Sequence, residues 1–422
     1  MRLRSRLKAI PAIIYTALLV LVCISGPFHE APSDVKPLIG PAPAAEVTLS
    51  CGTYPVETTE LTAVIQSEDI SKLDSLSYLT RADFSGSSCW KEIAEWGQAH
   101  PLLELKYTVT LPDGTVLDNS AAELDLSSLG HDAAAETAEA LACLPAVTHI
   151  KLGAQSAGSD ALTLADIGAI HEACPNAELD YSLTLYGHEI NLSASSLDFR
   201  GTQISDEAAA LAEVLPLMTR CTYLDMDNTG VSNEALAKIR EEFLNIDVVW
   251  RVWFGTNYSV RTDVERILAS KPTVGGMIYD ASVLQYCTKV KYLDLGHNDE
   301  LPSIDFVRNM PELEVLIIAM TAVRDISPLE SCPKLEYLEL NSTNIADISP
   351  LKNSTGLHHL NIAGCPNIKD ISPLYGLTEL ERLWIGCDTP VPDKQVSAMK
   401  AAVPGCTINT TTDDPHGGAR RR

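Results

Sequence analysis

The sequence has few basic residues for its size, and the common enzyme motifs are missing from it. Lys and Arg number 31 against 56 Asp and Glu, and seven of those cations lie at the two ends. Without them, 24 cations face 56 carboxylates, so the body carries a formal charge of -32. Such a body repels polyphosphate, and nucleic acid is not an expected partner. HExxH, P-loop, GxSxG and EF-hand patterns are also absent, so we expect no metal and no cofactor.

No CxxC pair occurs among the eleven cysteines, which argues against a zinc site. Several cysteines fall where neighbouring segments have small or apolar residues, and free cysteine suits such buried positions. We therefore predict free thiols at Cys143, Cys174, Cys287 and Cys332. Cys51 and Cys89 lie outside this pattern and are the best candidates for a disulfide in an exported protein.

His171 and Cys174 stand three residues apart on a predicted helix and invite a catalytic interpretation. A cysteine nucleophile needs a base within hydrogen-bond reach and a third group that orients the base. The sequence offers no such third group, so we interpret the pair as a core cysteine beside a surface histidine. The enzymatic alternative is an envelope hydrolase or glycan-processing enzyme with its site within 102–255.

The N-terminal residues 1–28 combine four cations with an uncharged run from Ala9 to Phe28. Positive charge stays on the cytoplasmic side while the apolar run enters the bilayer, so this segment predicts export, as a cleaved signal peptide or as a membrane anchor. Five prolines between Pro27 and Pro43 predict an extended linker over 29–48. We expect an extracellular or cell-surface protein that meets the membrane only through its N-terminal segment.

The five letters DISPL occur three times, starting at Asp325, Asp347 and Asp370. Five strand-like segments share their period, and any extra residue falls in the turn after the strand. The central leucines, spaced 23, 22, 22 and 23 residues apart, are Leu293, Leu316, Leu338, Leu360 and Leu383. This constant period predicts a stack of parallel strands about 4.8 Å apart, in which every turn supplies the same side chains to the same layers.

Each position within the repeat is expected to have its own structural role. In DISPL, Ile and Leu should point into the core, while Ser as N-cap and Pro as first helical residue should start one short helical turn on the convex side. After each strand the chain turns sharply, and an unmade buried hydrogen bond there would cost about 1–3 kcal/mol. The residues expected to pair these backbone groups, as a ladder along the stack, are Asn298, Thr321, Thr343, Cys365 and Asp388.

The segment NIADISPLKNSTGLHHLNIAGCPNI resembles the leucine-rich repeat, specifically the 22-residue type of internalin-like surface proteins of Gram-positive bacteria. The resemblance covers 290–391, where several turns agree in register. It implies an α/β solenoid, a horseshoe with a parallel concave sheet and short 3-10 turns on the convex side of the C-terminal half. The wall-anchoring signals of that family do not follow the repeats here.

Over 49–289 the repeats are longer and carry amphipathic segments such as DEAAALAEVLPLM, which predict full helices on the convex side. A second period of about seventy residues places Tyr107, Tyr181 and Trp250 in one position, within strands that should run on into projecting hairpins. We interpret these residues as edge packing, with a contact surface as the alternative. Residues 392–409 predict a terminal cap, and 410–422 a disordered tail.

The outward side of the C-terminal sheet is the candidate binding surface. Alternate strand residues point outward there, and several are Tyr, Trp or Arg, which dominate binding hot spots. The candidates are Tyr292, Asp294, Ile317, Tyr337, Glu339, His359, Asn361, Arg382 and Trp384. Ring stacking alone for the tyrosines, or packing under the cap for Trp384, are the alternatives.

From these features we hypothesise a non-enzymatic, monomeric binding protein that recognises a protein, in preference to a glycan, on its concave sheet. A purely structural surface spacer is the other alternative. A concave face without aromatic residues would favour the spacer.

Overall fold

The computed structural model describes residues 45–386 and 388–410. The predicted signal or anchor segment, most of the predicted linker and all but the first residue of the predicted tail lie outside these ranges. The described part opens with an antiparallel hairpin of β1 (Glu46–Leu49) and β2 (Gly52–Pro55). Its Val47 and Leu49 are buried in the hydrophobic core.

The N-terminal half then consists of three units, called modules below, each with three parallel strands, two helical connections and a hairpin. The first has β3 (Glu60–Thr62), a 3-10 turn (Ser67–Asp69) with α1 (Ile70–Leu73), β4 (Arg81–Asp83), α2 (Trp90–Ala99), β5 (Glu104–Lys106), β6 (Thr108–Thr110) and β7 (Val116–Asp118). The second has β8 (Glu123–Asp125), α3 (His131–Leu141), β9 (His149–Ala154), α4 (Leu164–Ala173), β10 (Glu178–Leu185) and β11 (His188–Asn191). The third has β12 (Ser196–Asp198), α5 (Ala209–Val214) with a 3-10 turn (Leu215–Leu217), β13 (Tyr223–Asp225), α6 (Asn233–Glu242), β14 (Asp247–Val249), β15 (Arg251–Phe254) and β16 (Tyr258–Arg261).

The hairpins interrupt the parallel sheet. Within a module the strands pair in parallel, and the third strand runs on into the hairpin; β10, for example, pairs with β9 on one side and with antiparallel β11 on the other. Among the described strands, the last parallel strand of a module does not pair with the first strand of the next unit. The sheet therefore starts anew after every third parallel strand, which the sequence does not predict.

The recurring aromatic position before each hairpin is buried. Tyr107, Tyr181 and Trp250 are 4%, 3% and 2% exposed. The Tyr107 hydroxyl donates to the Cys143 carbonyl at 2.7 Å, and the Trp250 indole N–H donates to the Asn233 side chain at 2.9 Å. These side chains therefore pack inside the structure, in agreement with the edge-packing interpretation.

The C-terminal half is one seven-stranded parallel sheet. Its strands are β17 (Arg266–Leu268), β18 (Tyr292–Asp294), β19 (Val315–Ile317), β20 (Tyr337–Glu339), β21 (His359–Asn361), β22 (Arg382–Trp384) and β23 (Thr407–Asn409). The connections are α7 (Lys271–Val274), 3-10 turns at Ser282–Tyr286, Asp305–Asn309, Ser327–Ser331, Ser349–Asn353 and Ser372–Gly376, and α8 (Asp393–Ala402). The five central leucines pair in the predicted register and are fully buried. The predicted solenoid with a parallel sheet, full helices upstream and 3-10 turns downstream is thus confirmed.

The DISPL turns begin one residue earlier than expected. Ile326 is the N-cap, Ser327 the first residue of the 3-10 turn and Pro328 the second, and the other two copies are arranged alike. The Asp325 carboxylate accepts hydrogen bonds from the Ser327 backbone N–H at 2.8 Å and from its hydroxyl at 3.0 Å. The expectation of Ser as N-cap and Pro as first residue is therefore wrong, because the turn already includes Ser, whose backbone N–H and hydroxyl bond to the Asp side chain.

Side-chain packing joins the units where strand pairing stops. One hydrophobic cluster extends from Val47 to Cys406. Between the second and third modules, the Tyr186 ring packs edge-on against Phe199 with centroids 5.7 Å apart. No helix in the described part of the chain is both long and apolar enough to span a membrane.

Candidate functional site

The structure brings all nine predicted site residues to one face of the C-terminal sheet, called the concave face below. Register pairing places Tyr292, Val315, Tyr337, His359 and Arg382 in one row across β18 to β22. The second row, two residues further along each strand, is Asp294, Ile317, Glu339, Asn361 and Trp384. These rows face away from the central leucines because strand residues alternate between the two sides.

The two rows differ in accessibility. Arg382 is exposed, and Tyr292, Tyr337 and His359 are half-buried. Asn361 and Trp384, in contrast, are only 3% and 8% exposed. The Asn361 side chain accepts a hydrogen bond from the Ala363 backbone N–H at 3.1 Å, so part of its polar capacity serves the turn that follows the strand.

An aromatic row crosses three neighbouring strands. The Tyr337 and His359 rings have centroids 5.7 Å apart, and those of His359 and Trp384 are 6.3 Å apart. At the other end of the face, the Arg266 guanidinium lies over the Tyr292 ring, 4.1 Å from its centroid. Aromatic faces and stacked cations of this kind offer apolar contact area together with polar handles.

His359 lies in the middle of this row. Burial lowers its pKa from the ordinary value, so the imidazole is neutral near pH 7. Its Nε2 is 3.8 Å from the Glu381 carboxylate, while Nδ1 is buried and makes no hydrogen bond. The centre of the row is therefore an uncharged ring next to a carboxylate.

Carboxylates border the aromatic row. Successive backbone hydrogen bonds place Lys291, Glu314, Glu336, His358 and Glu381 in a column at the start of the strands, and the charges of Lys291 and Glu314 attract each other. Within the described part of the chain, no Lys or Arg forms a salt bridge with Glu314, Glu336 or Glu339. Glu339 accepts a hydrogen bond from the Tyr337 hydroxyl. The middle of the concave face is thus acidic as well as aromatic.

The corresponding face of the N-terminal half is occupied by its own ion pairs. Arg81 bridges Glu60 and Glu104 at 3.1 Å each, across all three strands of the first module. In the second module, Lys151 meets Asp125 at 3.1 Å. Cations and carboxylates satisfy each other in these places, so little is left for a partner to recognise.

The third module carries the most buried charge cluster. Asp225 and Asp227 project from the β13 region and meet two arginines of the β15–β16 hairpin: Arg261 lies 3.0 Å from Asp225, and Arg251 lies 3.0 Å from Asp227. The Arg261 guanidinium also donates to the Tyr223 hydroxyl at 3.0 Å. Carboxylates do converge within 102–255, and each of these two pairs with a guanidinium group of the hairpin.

His171 and Cys174 do not form a catalytic pair. The Cys174 thiol donates to the Leu141 carbonyl at 3.5 Å, and burial raises its pKa to about 11. The His171 Nδ1 is buried and has no hydrogen-bond partner. A cysteine nucleophile acts as the thiolate, and this environment favours the neutral thiol.

The buried ladder after the strands is made by four of the five predicted residues. The Asn298 amide accepts from the Ile278 N–H at 2.9 Å and donates to the Ala269 and Leu295 carbonyls at 3.0 and 2.8 Å. Further ladder bonds run from Thr321 to Ile318 (2.7 Å), from Thr343 to Leu340 (2.7 Å) and from Cys365 to Leu340 (3.2 Å).

Asp388 is not part of the ladder, which is a correction to the predicted set. Earlier turns pass through a left-handed residue four positions after the central leucine, such as Ser342 with φ 60°. In the last turn the left-handed residue is Asp388 itself, with φ 69° and an exposed side chain, five positions after Leu383. The added residue moves the ladder to Thr389, whose hydroxyl donates to the Ile362 carbonyl at 2.8 Å.

Two further ladder residues lie in the modules and were not predicted from the sequence. Thr229 donates to the Met226 carbonyl at 3.1 Å, and Ser87 accepts from the Ile65 N–H at 3.0 Å. Both follow the buried central strand residue by five positions, the same offset that separates Asn298 from Leu293. This offset was the available signal.

Cys51 and Cys89, the best candidates for a disulfide, are not bonded to each other. Both are free cysteines. The exposed Cys51 thiol lies 3.6 Å from the Tyr54 hydroxyl, and the buried Cys89 thiol donates to the Ile65 carbonyl at 3.4 Å. Cys143, Cys174, Cys287 and Cys332 are free as well.

Comparison with known proteins identifies the repeat. Residues 311–353 match the family model described as leucine-rich repeats, two copies. No curated protein matches the sequence. Among solved structures, an internalin of Listeria monocytogenes (InlF) is similar, with 18% identity, a TM-score of 0.33 and coverage of 86% of this chain and 85% of its own.

Two further solved structures are similar at the same level. A leucine-rich-repeat protein of Leptospira interrogans has 13% identity, a TM-score of 0.33 and coverage of 83% of this chain and 99% of its own. The functional domain of InlJ from Listeria monocytogenes, described as including a cysteine ladder, has 15% identity, a TM-score of 0.30 and coverage of 85% of this chain and 65% of its own.

Parallel strands at a period of 22–23 residues, with a buried polar ladder after each strand, define a repeat solenoid. The family match covers residues 311–353, and the same period of 22–23 residues continues through the neighbouring strands of the C-terminal sheet.

Proposed function

We propose that this chain is an exported surface protein that binds a protein partner on the concave face of its C-terminal sheet. The single observation that supports this most is the aromatic row of Tyr337, His359 and Trp384, bordered by Glu336 and Glu339, which form no salt bridge with a described Lys or Arg. The N-terminal half pairs the same kinds of charge internally. A partner would therefore gain more on the concave face than on the N-terminal half.

The shape of this face favours an extended segment or a protein edge over a small molecule. Five strands about 4.8 Å apart give a surface about 19 Å long. Small-molecule sites are closed pockets that bury most of the ligand, whereas the concave face is an open sheet. The export proposal rests on the N-terminal sequence pattern, and the partner would then be met at the cell surface.

Replacement of Tyr337 and Arg382 together by Ala should weaken partner binding by about 2 kcal/mol or more, or roughly 30-fold. The immobilised chain would be exposed to envelope and host-surface extracts, and the captured proteins compared between wild type and variant. The melting temperature should change little, because Arg382 is exposed and Tyr337 is half-buried.

Tyr279→Ala combined with Arg324→Ala is a matched control. Tyr279 is 64% exposed and Arg324 is also exposed, and both lie outside the strands of the sheet. A captured protein that the control retains and the concave variant loses supports the proposal. Equal capture by both variants would assign the aromatic row to packing and leave the concave face without a binding role.

A further inference from the structure

A pocket at the junction between the third module and the C-terminal sheet has no role in the proposed function. Its volume is about 150 Å³, and none of its lining residues is among the nine candidates of the concave face. We propose that this pocket binds a small aliphatic monocarboxylate, whose carboxylate group pairs with the guanidinium group of Arg240. The inference does not rest on the proposed partner binding.

The pocket lies where the parallel sheet is interrupted. β14 is the last strand of one sheet and β17 the first strand of the next, and the β15–β16 hairpin separates them along the chain. The lining residues come from β14 itself, from Thr262 and Asp263 before β17, and from Thr288 and Lys289 before β18. The space that strand pairing fills elsewhere in the solenoid is therefore open here.

Arg240 is held at this pocket from two sides. It belongs to α6, and its guanidinium group lies over the Trp250 ring, 4.8 Å from the centroid. Its Nη1 donates to the Tyr286 carbonyl at 2.9 Å. Trp250 is fixed in turn, because its indole N–H donates to the Asn233 side chain at 2.9 Å. The cation is thus positioned before a ligand arrives, which lowers the entropic cost of binding.

This guanidinium group forms no salt bridge within the described part of the chain. Arginine carries five N–H donors, and the Tyr286 carbonyl occupies only one of its nitrogens. Burial lowers the pKa of Arg240 from the ordinary value, although arginine stays protonated in proteins. The exposed Glu241 attracts Arg240 without forming an ion pair. A half-buried cation of this kind is stabilised by an anion that bonds to it directly.

The other charged groups that line the pocket are already paired. The Lys289 ammonium lies 2.9 Å from the Asp247 carboxylate, and the Asp263 carboxylate lies 3.3 Å from Arg261. These two carboxylates disfavour an anion that carries more than one charge. Arg240 is therefore the cation that is left for a ligand, and the ligand should carry a single negative charge.

The size and the apolar lining of the pocket restrict the rest of the ligand. Ile246, Val248 and Val249 are buried, and the 88% exposed Leu244 continues this apolar lining toward the solvent. Sites for drug-sized ligands occupy roughly 300–1,000 Å³, so this smaller pocket admits only a short chain. The arginine fork matches a carboxylate with two parallel hydrogen bonds. A free short-chain acid and the end of a polypeptide both carry a carboxylate on a short stem.

The test uses sodium butyrate and measures its binding to the full chain by saturation-transfer NMR at constant ionic strength. Wild type should bind butyrate saturably, and an equal concentration of sulfate, a dianion, should not displace it. Arg240→Gln removes the charge and should weaken binding by about tenfold or more. Arg240→Lys keeps the charge but not the paired donors, and it should weaken binding by about threefold or more.

Lys238→Gln is the matched control. Lys238 lies on the same helix, is exposed and does not line the pocket, so its loss changes the net charge equally and should leave binding within about twofold. Failure of wild type to bind butyrate would overturn the proposal, as would displacement by sulfate, unchanged binding by Arg240→Gln or an equal loss in the control. If circular dichroism shows that Arg240→Gln does not fold, wild-type affinity in Arg240→Lys would overturn the proposal.

Competition by N-acetyl-glycyl-valine separates the two sources of the carboxylate. Displacement of butyrate by the dipeptide with a free C-terminus, and not by its amidated form, would assign the pocket to the end of a polypeptide. No displacement by either form would assign it to a free short-chain acid. Displacement by both would show that the carboxylate is not recognised and would overturn the proposal. The capture experiment with Tyr337 and Arg382 is independent of all these results.

Discussion

The Asn298 amide bonds three backbone groups from two turns, one through its oxygen and two through its nitrogen. It is fully buried, so water cannot replace these bonds. Asn298→Leu should lower the free energy of unfolding by about 1–3 kcal/mol, as measured by chemical denaturation. A loss of unfolding free energy below a few tenths of a kcal/mol would show that the stack does not need the Asn298 amide.

The last turn offers a finer comparison. Thr389→Val removes a hydroxyl that donates to the Ile362 carbonyl and accepts from the Cys365 N–H, and it should cost about 1 kcal/mol. Asp388→Asn keeps a residue that tolerates the left-handed conformation and alters only an exposed side chain, so its effect should be near zero. The reverse ranking would put the ladder back at Asp388.

The reactivity of the cysteines toward alkylation should follow their burial. Burial raises the pKa of Cys174 and Cys332 to about 11 and that of Cys287 to about 12, and the reactive form is the thiolate. Alkylation of the native protein, read by peptide mass spectrometry, should modify the exposed Cys51 and spare these three until the chain is unfolded. Disulfide-linked peptides containing them would contradict the core assignment.

Among the elements, the β15–β16 hairpin is held by charge to an extent the other described hairpins are not. Arg251 forms a salt bridge with Asp227, whose side chain is 13% exposed, and Arg261 forms one with Asp225, whose side chain is 6% exposed. Arg261→Ala leaves Asp225 without its closest cation, and removing one partner of a buried pair costs about 3 kcal/mol. Denaturant unfolding of the full chain would measure the loss.

Arg81→Ala is the control for that measurement. Arg81 pairs with Glu60 and Glu104 at 3.1 Å each, but all three side chains are more than half exposed, and water screens such pairs, so the loss of stability should be much smaller. Equal losses in the two variants would mean that the buried cluster does not anchor the hairpin.

Some elements are readable from sequence and others are not. The register of β18 to β22 follows from Leu residues at a constant period, since a shift by one residue would turn every Leu to the wrong face. The predicted start of the 3-10 turns differs from the observed start by one residue, because Asp, Ser and Pro are each acceptable near a helix start. Only the geometry of the Asp325 bonds to Ser327 decides among them.

At the scale of the molecule, the sequence predicted a solenoid and the composition of its outward face. It did not predict that the sheet stops after every third strand of the N-terminal half, because pairing across a hairpin depends on the path of the chain and not on local pattern. Nor did it predict the burial of Asn361, and it gave the burial of Trp384 only as an alternative. Both positions read as outward by alternation, and neighbours distant in sequence decide their exposure.

The two kinds of repetition set how such a chain can be lengthened. A duplicated turn of 22 or 23 residues would add one strand to the C-terminal sheet and extend the concave face by about 4.8 Å, with both neighbours paired as before. In the N-terminal half a lone strand would meet the antiparallel edge of a hairpin, so growth there needs a whole module of about seventy residues. The C-terminal half, which carries the proposed binding face, can therefore be enlarged in small steps during evolution or design, while the N-terminal half changes only in large ones.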